Sequence, residues 1–300
     1  MKITISGSTG FVGQNLSDYL RQQKVAVDGL SLRSDNWKKQ LDREATAIIH
    51  LAGKAHDTEN TSAPEEYFAI NRDLTIELFN EFLQSNIRDF FFFSSVKAAA
   101  DTISETLTEN IHPNPLTPYG KSKLEAEQYI LQQKLPENKR VFIIRPCMIH
   151  GKGNKGNLNL LYKVVAKGLP WPLASFHNER SFLNIDNLNF LIFEMITQPK
   201  VESGIYNFSD DLPVSTNQLI TIISETLERK ERLLNIPKSL IAILAKTGDV
   251  LHLPLNSERL KKLTENYVVS NQKIKSALRL QNLPISAEDG LKKTLHSFRK

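Results

Sequence analysis

The sequence predicts an α/β protein: a doubly wound parallel sheet followed by a smaller, mixed α/β C-terminal lobe. Three observations predict it. Short runs rich in Ile, Val and Phe alternate with amphipathic stretches through the first half of the chain, the pattern of parallel strands joined by right-handed helical crossovers. A glycine-rich turn stands between the first apolar run and the first amphipathic stretch. After Gly151 the texture changes to a glycine- and lysine-rich loop followed by mostly helical segments.

The apolar runs are Lys2–Ser6, Lys24–Leu32, Thr46–Leu51, Asp89–Ser94 and Arg140–Ile144. Their near-continuous apolar character fits strands covered on both faces. Between them, Gln14–Gln22, Pro64–Ser85 and Pro118–Lys134 carry apolar residues at helical spacing. Beyond the loop Gly151–Asn157 come a helix, a Gly168-Leu169-Pro170-Trp171-Pro172 turn and a short strand, Arg180–Ile185. A helix over Asp186–Thr197 and a strand at Gly204–Phe208 follow. The remaining helices are Thr216–Arg229, Lys238–Lys246, Ser257–Lys262, Asn271–Leu278 and Ala287–His296. Residues 1–152 and about 186–208 are expected to form the first domain, and residues 153–185 and 209–300 the second.

With 40% hydrophobic and 24% charged residues, this is the composition of a globular protein with ample core material. The single cysteine, Cys147, excludes an internal disulfide and suits a reducing compartment. Glycine at position 7 comes too early for the apolar region of a secretory signal. The longest apolar stretches, Phe90–Phe93 and Leu240–Ala245, fall far short of the ~20 residues that span a bilayer. A cytoplasmic location and no membrane insertion are the expectation. The net charge of +5 is scattered, with no arginine-rich block or interleaved aromatic platform. Nucleic acid is therefore not expected as a partner, whereas a small anionic ligand fits the excess. No metal-ligating cluster is evident.

Gly7-Ser8-Thr9-Gly10-Phe11-Val12-Gly13 follows the first strand directly and opens a helix. A pyrophosphate must approach backbone amides at a helix N-terminus, and side chains on the turn would block it. Strand before and helix after raise the pattern from a tight turn to a dinucleotide site. Where the second strand ends, an acidic residue would hold a free ribose 2′-hydroxyl. Here Ser31, Arg33 and Ser34 stand at the tip instead. A guanidinium there can pair with a 2′-phosphate, so NADP(H) is favoured; NAD(H) is the alternative if Asp35 holds the ribose.

Thr117 reads as an N-cap and Pro118 as the first residue of the following helix. Tyr119 and Lys123 then share one face, four residues apart. A neighbouring ammonium can stabilise the phenolate of a tyrosine whose ordinary pKa is ~10. The serines after Phe90–Phe93 mark a strand's C-terminal end, where ligands bind in open α/β sheets. Ser95 can thus orient a substrate oxygen and share its proton with Tyr119.

Gly7–Gly13, His50-Leu51-Ala52-Gly53, Phe93-Ser94-Ser95, Tyr119-x-x-x-Lys123 and Arg145-Pro146 resemble, in order and spacing, the extended short-chain dehydrogenases of the NAD-dependent epimerase/dehydratase family. The resemblance covers essentially the whole chain and implies a Rossmann domain with a C-terminal substrate lobe. It implies that Tyr119 is the acid/base, that Lys123 lowers its pKa and holds the nicotinamide ribose, and that Ser95 binds the reacting oxygen. Leu51, Ala52, Gly53 and Pro146 join the cofactor set by the same resemblance. Gly153–Asn157, Gly168–Leu173 and Asn178–Ser181 resemble a bacterial subgroup that includes UDP-glucose 4-epimerase-like proteins and reductases of UDP-4-keto-6-deoxy-N-acetylhexosamine. That resemblance implies a UDP-sugar substrate in surface-polysaccharide synthesis. Asn157 would then hold its diphosphate or sugar, Trp171 and Leu173 flank its uracil, and Arg180 and Arg259 neutralise its diphosphate. A homodimer through the helices at Pro64–Ser85 and Pro118–Lys134 is implied as well.

Family dehydratases follow the catalytic Ser/Thr with an acidic pair, and here Val96 and Lys97 stand in those places. Dehydration is thereby disfavoured. Three functions remain open: an NADPH-dependent 4-ketosugar reductase, which is favoured; a UDP-hexose 4-epimerase with retained NAD; and a non-catalytic dinucleotide sensor, which would not need the triad.

Overall fold

The computed structural model describes residues 1–54, 63–154, 157–251 and 256–299, without the side chain of Asn157. Six strands form one parallel sheet: β1 (Lys2–Ser6), β2 (Ala26–Leu30), β3 (Ala47–His50), β4 (Asp89–Phe93), β5 (Arg140–Pro146) and β8 (Gly204–Phe208), in the spatial order β2-β1-β3-β4-β5-β8. The order in which successive strands are added reverses at β1, which has β2 on one side and β3 on the other, both parallel to it. Such a switch point opens a crevice beyond the carboxyl ends of the strands, and there a ligand binds.

The four phenylalanines of β4 show why the sheet is covered on both faces. Phe91 and Phe93 join Ile3, Ile5, Ile49, Phe142 and Ile144 in one apolar cluster. Phe90 and Phe92 join Ile48, Phe79, Phe82, Val141 and Ile143 in the other. Alternation with period two sends successive rings to opposite faces, so a continuous apolar run is what a central parallel strand requires. β2 departs from this expectation. It is an edge strand, shorter than the predicted Lys24–Leu32, with Ala26, Asp28 and Gly29 exposed, because among the described residues no strand pairs with its outer side.

Helices α1 (Phe11–Gln22), α2 (Trp37–Gln40), α3 (Pro64–Phe68), α4 (Leu74–Leu83) and α5 (Pro118–Gln132) belong to the crossovers. The predicted single helix Pro64–Ser85 is broken by a π-helical turn, Ala69–Asp73. The turn's Asn71 is fully buried and bridges to the loop after β3 and to α5. Its side chain accepts from Lys54 N (2.8 Å) and donates to Ser122 Oγ (3.2 Å). π turns inside helices commonly mark functional sites.

After β5 the chain forms β6 (Met148–His150), α6 (Asn157–Ala166), β7 (Phe182–Asn184) and α7 (Ile185–Thr197). β6 and β7 pair as a separate two-stranded sheet. α7 packs on α1, with Tyr19 and Phe193 edge to face at 6.2 Å, and β8 then pairs with β5 in the main sheet. The helices α8 (Thr216–Thr226), α9 (Lys238–Leu251), α10 (Ser257–Thr264), α11 (Gln272–Leu278) and α12 (Ala287–His296) complete the chain. A third cluster around Trp171, Leu173, Phe182, Ile220, Ile241 and Leu291 is the core of this second lobe. Among the described residues no helix is long and apolar enough to cross a membrane, and no group of His, Cys, Asp and Glu is placed to hold a metal ion.

Candidate active site

The β1–α1 turn has the shape a pyrophosphate needs. Gly7 has φ +75°, and a Cβ there would lie 2.7 Å from Ala52 N. At Gly13 a Cβ would sit 2.2 Å from Gly7 O, so the first turn of α1 packs directly on the loop. Gly10 caps α1 without a side-chain bond, and no acidic residue occupies the first helical turn. The exposed amides and the positive end of the helix are thus open to an anion. Phe11 and Val12, half-buried, begin the helix, and Val12 lines the cleft beyond.

β3 ends on His50, and Leu51, Ala52 and Gly53 follow it along the crevice. Under this floor lies a buried chain: Ser6 Oγ to His50 Nδ1 at 2.6 Å, His50 Nε2 to Thr75 Oγ1 at 2.9 Å, and Thr75 Oγ1 to the carbonyl of Asn71 at 2.8 Å. Burial, helped by the charge of Lys123, pushes His50 down to about 3. It is therefore neutral and serves as a hydrogen-bonding strut.

Ser31 and Arg33 are exposed just past the end of β2, and Ser34 is half-buried. Asp28, within the strand, is paired with Lys2 at 2.7 Å. It is not at the tip.

Ser95 follows β4 and caps the 3₁₀ turn Val96–Ala98, its Oγ accepting from Lys97 N at 3.2 Å. Thr117 caps α5 through Gly120 N (3.2 Å), with Pro118 at the first helical position. That start places Tyr119 at the crevice, where its hydroxyl and that of Ser95 are hydrogen-bonded. Burial raises the phenol above its ordinary value, and the Ser95 bond works in the opposite sense. Lys123, one helical turn on, is buried and donates to the carbonyl of Phe93 at 2.8 Å. Its Nζ would be 3.2 Å from a Cβ on Gly53. Burial lowers Lys123 to about 8, against the opposing pull of Glu127.

Two clefts meet at this pair of hydroxyls. One, of about 280 Å³, is lined by Val12, Leu51, Gly53, Lys123, Pro146 and Ile149 together with Ser95 and Tyr119. The other, of about 230 Å³, runs from Ser95 and Tyr119 to Lys97, Met148, Arg180 and Tyr267. The first is continuous with the glycine turn and the strand ends. Its residues fit a nicotinamide dinucleotide, since the cradle at Gly7 and Gly13 has no room for side chains. Tyr119 and Ser95 thus stand between the cleft whose residues fit a cofactor and the second cleft, which reaches Arg180.

The structure brings Arg180 to this second cleft but not Trp171 or Leu173. Those two are 7% and 3% exposed, bridged to Leu233 and Asn235, and packed in the second lobe's core. Arg259 lies on the exposed surface of α10. Asn157 begins α6, and its side chain lies outside the described residues, as do Lys155 and Gly156. Sequence reasoning missed Asn71 and Glu127. Glu127 is fully buried, bound by Arg145 (Nε to Oε1, 3.0 Å) and by the Ser94 hydroxyl. Its i+4 spacing from Lys123 was the available signal.

Lys123→Met is expected to stabilise the cofactor-free protein near pH 7. The native pKa of about 8 lies below the ordinary 10.5, so the charged form is held at a cost that is present in full below pH 8. That cost is relieved as pH rises from about 8 towards 10.5, where the unfolded chain still binds the proton. The gain should be on the order of 2–3 kcal/mol, read as a higher Tm at pH 7 that fades by pH 10. A lower Tm at pH 7 would contradict it.

A model of the NAD dependent epimerase/dehydratase family matches residues 3–208. A UDP-glucose 4-epimerase of Vibrio cholerae is 32% identical over 258 residues, 78% of each chain. A UDP-2-acetamido-2,6-beta-L-arabino-hexul-4-ose reductase of Pseudomonas aeruginosa is 27% identical over 276 residues, covering 89% of this chain and 66% of that one. Among solved structures, a UDP-N-acetylglucosamine 4-epimerase of Bacillus cereus superposes over the full length of both chains with a TM-score of 0.79 at 19% identity. The glycine cradle, the Ser95–Tyr119 pair and the buried Lys123 therefore belong to an enzyme that uses a nicotinamide dinucleotide, and the chain is a member of the NAD-dependent epimerase/dehydratase family.

Proposed function

We propose that the protein is an NADP(H)-dependent reductase of a nucleotide-linked 4-ketosugar, with a UDP-sugar as the substrate class. The observation that carries the reading is the Tyr119–Ser95 couple at the junction of the two clefts, followed by Val96 and Lys97 where elimination would need acids. Burial keeps the phenol protonated at neutral pH, the form required to donate a proton to a ketone oxygen. In this mechanism Ser95 Oγ donates to the substrate oxygen and holds it against the phenol. Tyr119 delivers its proton to that oxygen as carbonyl becomes alcohol. Lys123, anchored on the carbonyl of Phe93 one helical turn from Tyr119, would supply positive charge to the phenolate left behind and would hold the nicotinamide ribose. A bound dinucleotide would supply the hydride. The P. aeruginosa reductase supports the choice of substrate class.

A second reading, a 4-epimerase retaining NAD, is favoured by the V. cholerae relative. It uses the same three residues, so the cofactor separates the two. For NADPH, Arg33 is exposed at the tip of β2 while Asp28 is held by Lys2. Protein purified without added cofactor is expected to bind NADPH at least about tenfold more tightly than NADH, a preference of ~1.4 kcal/mol. Arg33→Ala should remove most of that preference. Copurified NAD and equal affinities would replace the reductase by the epimerase.

A further inference from the structure

We propose that Lys97 is a substrate-binding residue whose ammonium, together with the Arg180 guanidinium, pairs with an oxyanion of the nucleotide sugar. The inference rests on the nucleotide-sugar reading of the cleft and assigns a residue that this reading leaves idle.

Lys97 lies in the turn directly after Ser95, and its backbone amide donates to Ser95 Oγ. Its side chain is half-buried in the wall of the substrate-side cleft, shared with Tyr119, Arg180, Ser181 and Tyr267. The ammonium donates to the carbonyl of Asp101 at 2.7 Å and rests 4.3 Å from the centre of the Tyr267 ring. That ring is fixed, because its hydroxyl donates to the carbonyl of Ala100 at 2.6 Å. A lysine ammonium carries three donors, and a single carbonyl leaves capacity for an incoming oxygen. Across the cleft, Arg180 Nη1 donates to the carbonyl of Lys262.

Among the described residues neither cation forms an ion pair with a carboxylate, and no carboxylate lines the cleft. The Asp101 carboxylate, near in sequence, is occupied by the amides of Leu116 (2.6 Å) and Thr117 (3.2 Å). Glu265 acts on both cations through space without contacting either. Burial lowers the pKa of Lys97; the charges of Asp101 and Glu265 pull it up without cancelling that effect, and Arg180 adds to the lowering. Taking cations partly out of water without a partner is costly. An oxyanion entering between them would restore the balance and gain charge-assisted hydrogen bonds. A substrate oxygen held by Ser95 and Tyr119 places the rest of the sugar beside Lys97. The substrate offers one chemistry from two sources: its diphosphate, or a carboxylate carried on the sugar.

The test is calorimetric titration of the full chain with UDP, UDP-glucose and UDP-glucuronate, comparing wild type with Lys97→Met and Lys97→Arg. Lys97→Met is expected to weaken at least one of the sugar nucleotides tenfold or more, with Lys97→Arg recovering most of the loss. Equal loss for UDP and both sugars assigns the oxyanion to the diphosphate. A loss confined to UDP-glucuronate assigns it to a carboxylate. Unchanged affinities in Lys97→Met overturn the proposal while leaving the nucleotide-sugar reading intact. Equal losses in both variants together with a lower Tm also overturn it, since Lys97 would then only brace the Asp101 turn. Wild-type protein that binds none of the three overturns the nucleotide-sugar reading itself, and this assignment with it.

Discussion

Tyr119→Phe is expected to lower kcat about 10²–10⁴-fold, the usual worth of a positioned proton donor, while dinucleotide affinity stays within about twofold. The substitution removes one oxygen and leaves the ring in place, edge to face against Tyr67 at 6.2 Å. The Ser95 hydroxyl loses its partner but keeps its bond from Lys97 N. The glycine turn at Gly7 and Gly13 and the cleft residues Leu51 and Gly53, proposed to meet the dinucleotide, make no contact that depends on the phenol. The pH profile adds an independent check. Lys123 titrates near 8 in the free protein, so its charge is lost as pH rises through that value. The kcat/KM of ketone reduction should therefore fall on an alkaline limb near pH 8. Turnover unchanged in Tyr119→Phe would remove the phenol from the mechanism, and a profile flat from pH 7 to 10 would remove Lys123.

The parts of this site legible in the sequence are those fixed by local geometry. The glycine turn must follow a strand and open a helix, and it does so between β1 and α1. Tyr119 and Lys123 must share a helical face near the N-terminus, and Thr117-Pro118 announces that terminus directly before Tyr119. The phenylalanine run reads as a doubly covered strand, and its rings divide between the two apolar clusters. Illegible features are those that depend on distant chain. The π turn at Ala69–Asp73 has no signal in residue spacing; Asn71 is held there by Lys54 and Ser122, contacts made only once the fold has closed. β2 looks like a core strand in isolation, and only the absence of an outer neighbour exposes it. In the second lobe, Trp171 and Leu173 sit in a Pro-flanked turn that looks like a binding loop. Pairing with Leu233 and Asn235, more than sixty residues on, turns both side chains into the lobe's core.

Glu127→Ala is expected to destabilise the protein by about 3–5 kcal/mol, as follows when one partner of a buried ion pair is removed. Glu127 and Arg145 are each 1% exposed in their side chains, and Arg145 joins β5 to α5 through Nε and Nη2 on the same carboxylate. Arg145 Nη1 already lacks a partner among the described residues, so losing the carboxylate leaves a guanidinium buried with no counter-charge. Ser94, next to Ser95, loses its acceptor as well. The double variant Glu127→Leu with Arg145→Met should cost less than Glu127→Ala alone, because it buries no charge. Denaturant unfolding of the three proteins checks the order, and a double variant less stable than Glu127→Ala would show that the pair contributes net stability. The pair also reaches the chemistry. Glu127 holds the Lys123 pKa up against burial, so its removal should move the alkaline limb of kcat/KM to lower pH in whatever fraction remains folded. A limb that stays near pH 8 would mean that Glu127 supports the fold and leaves Lys123 untouched.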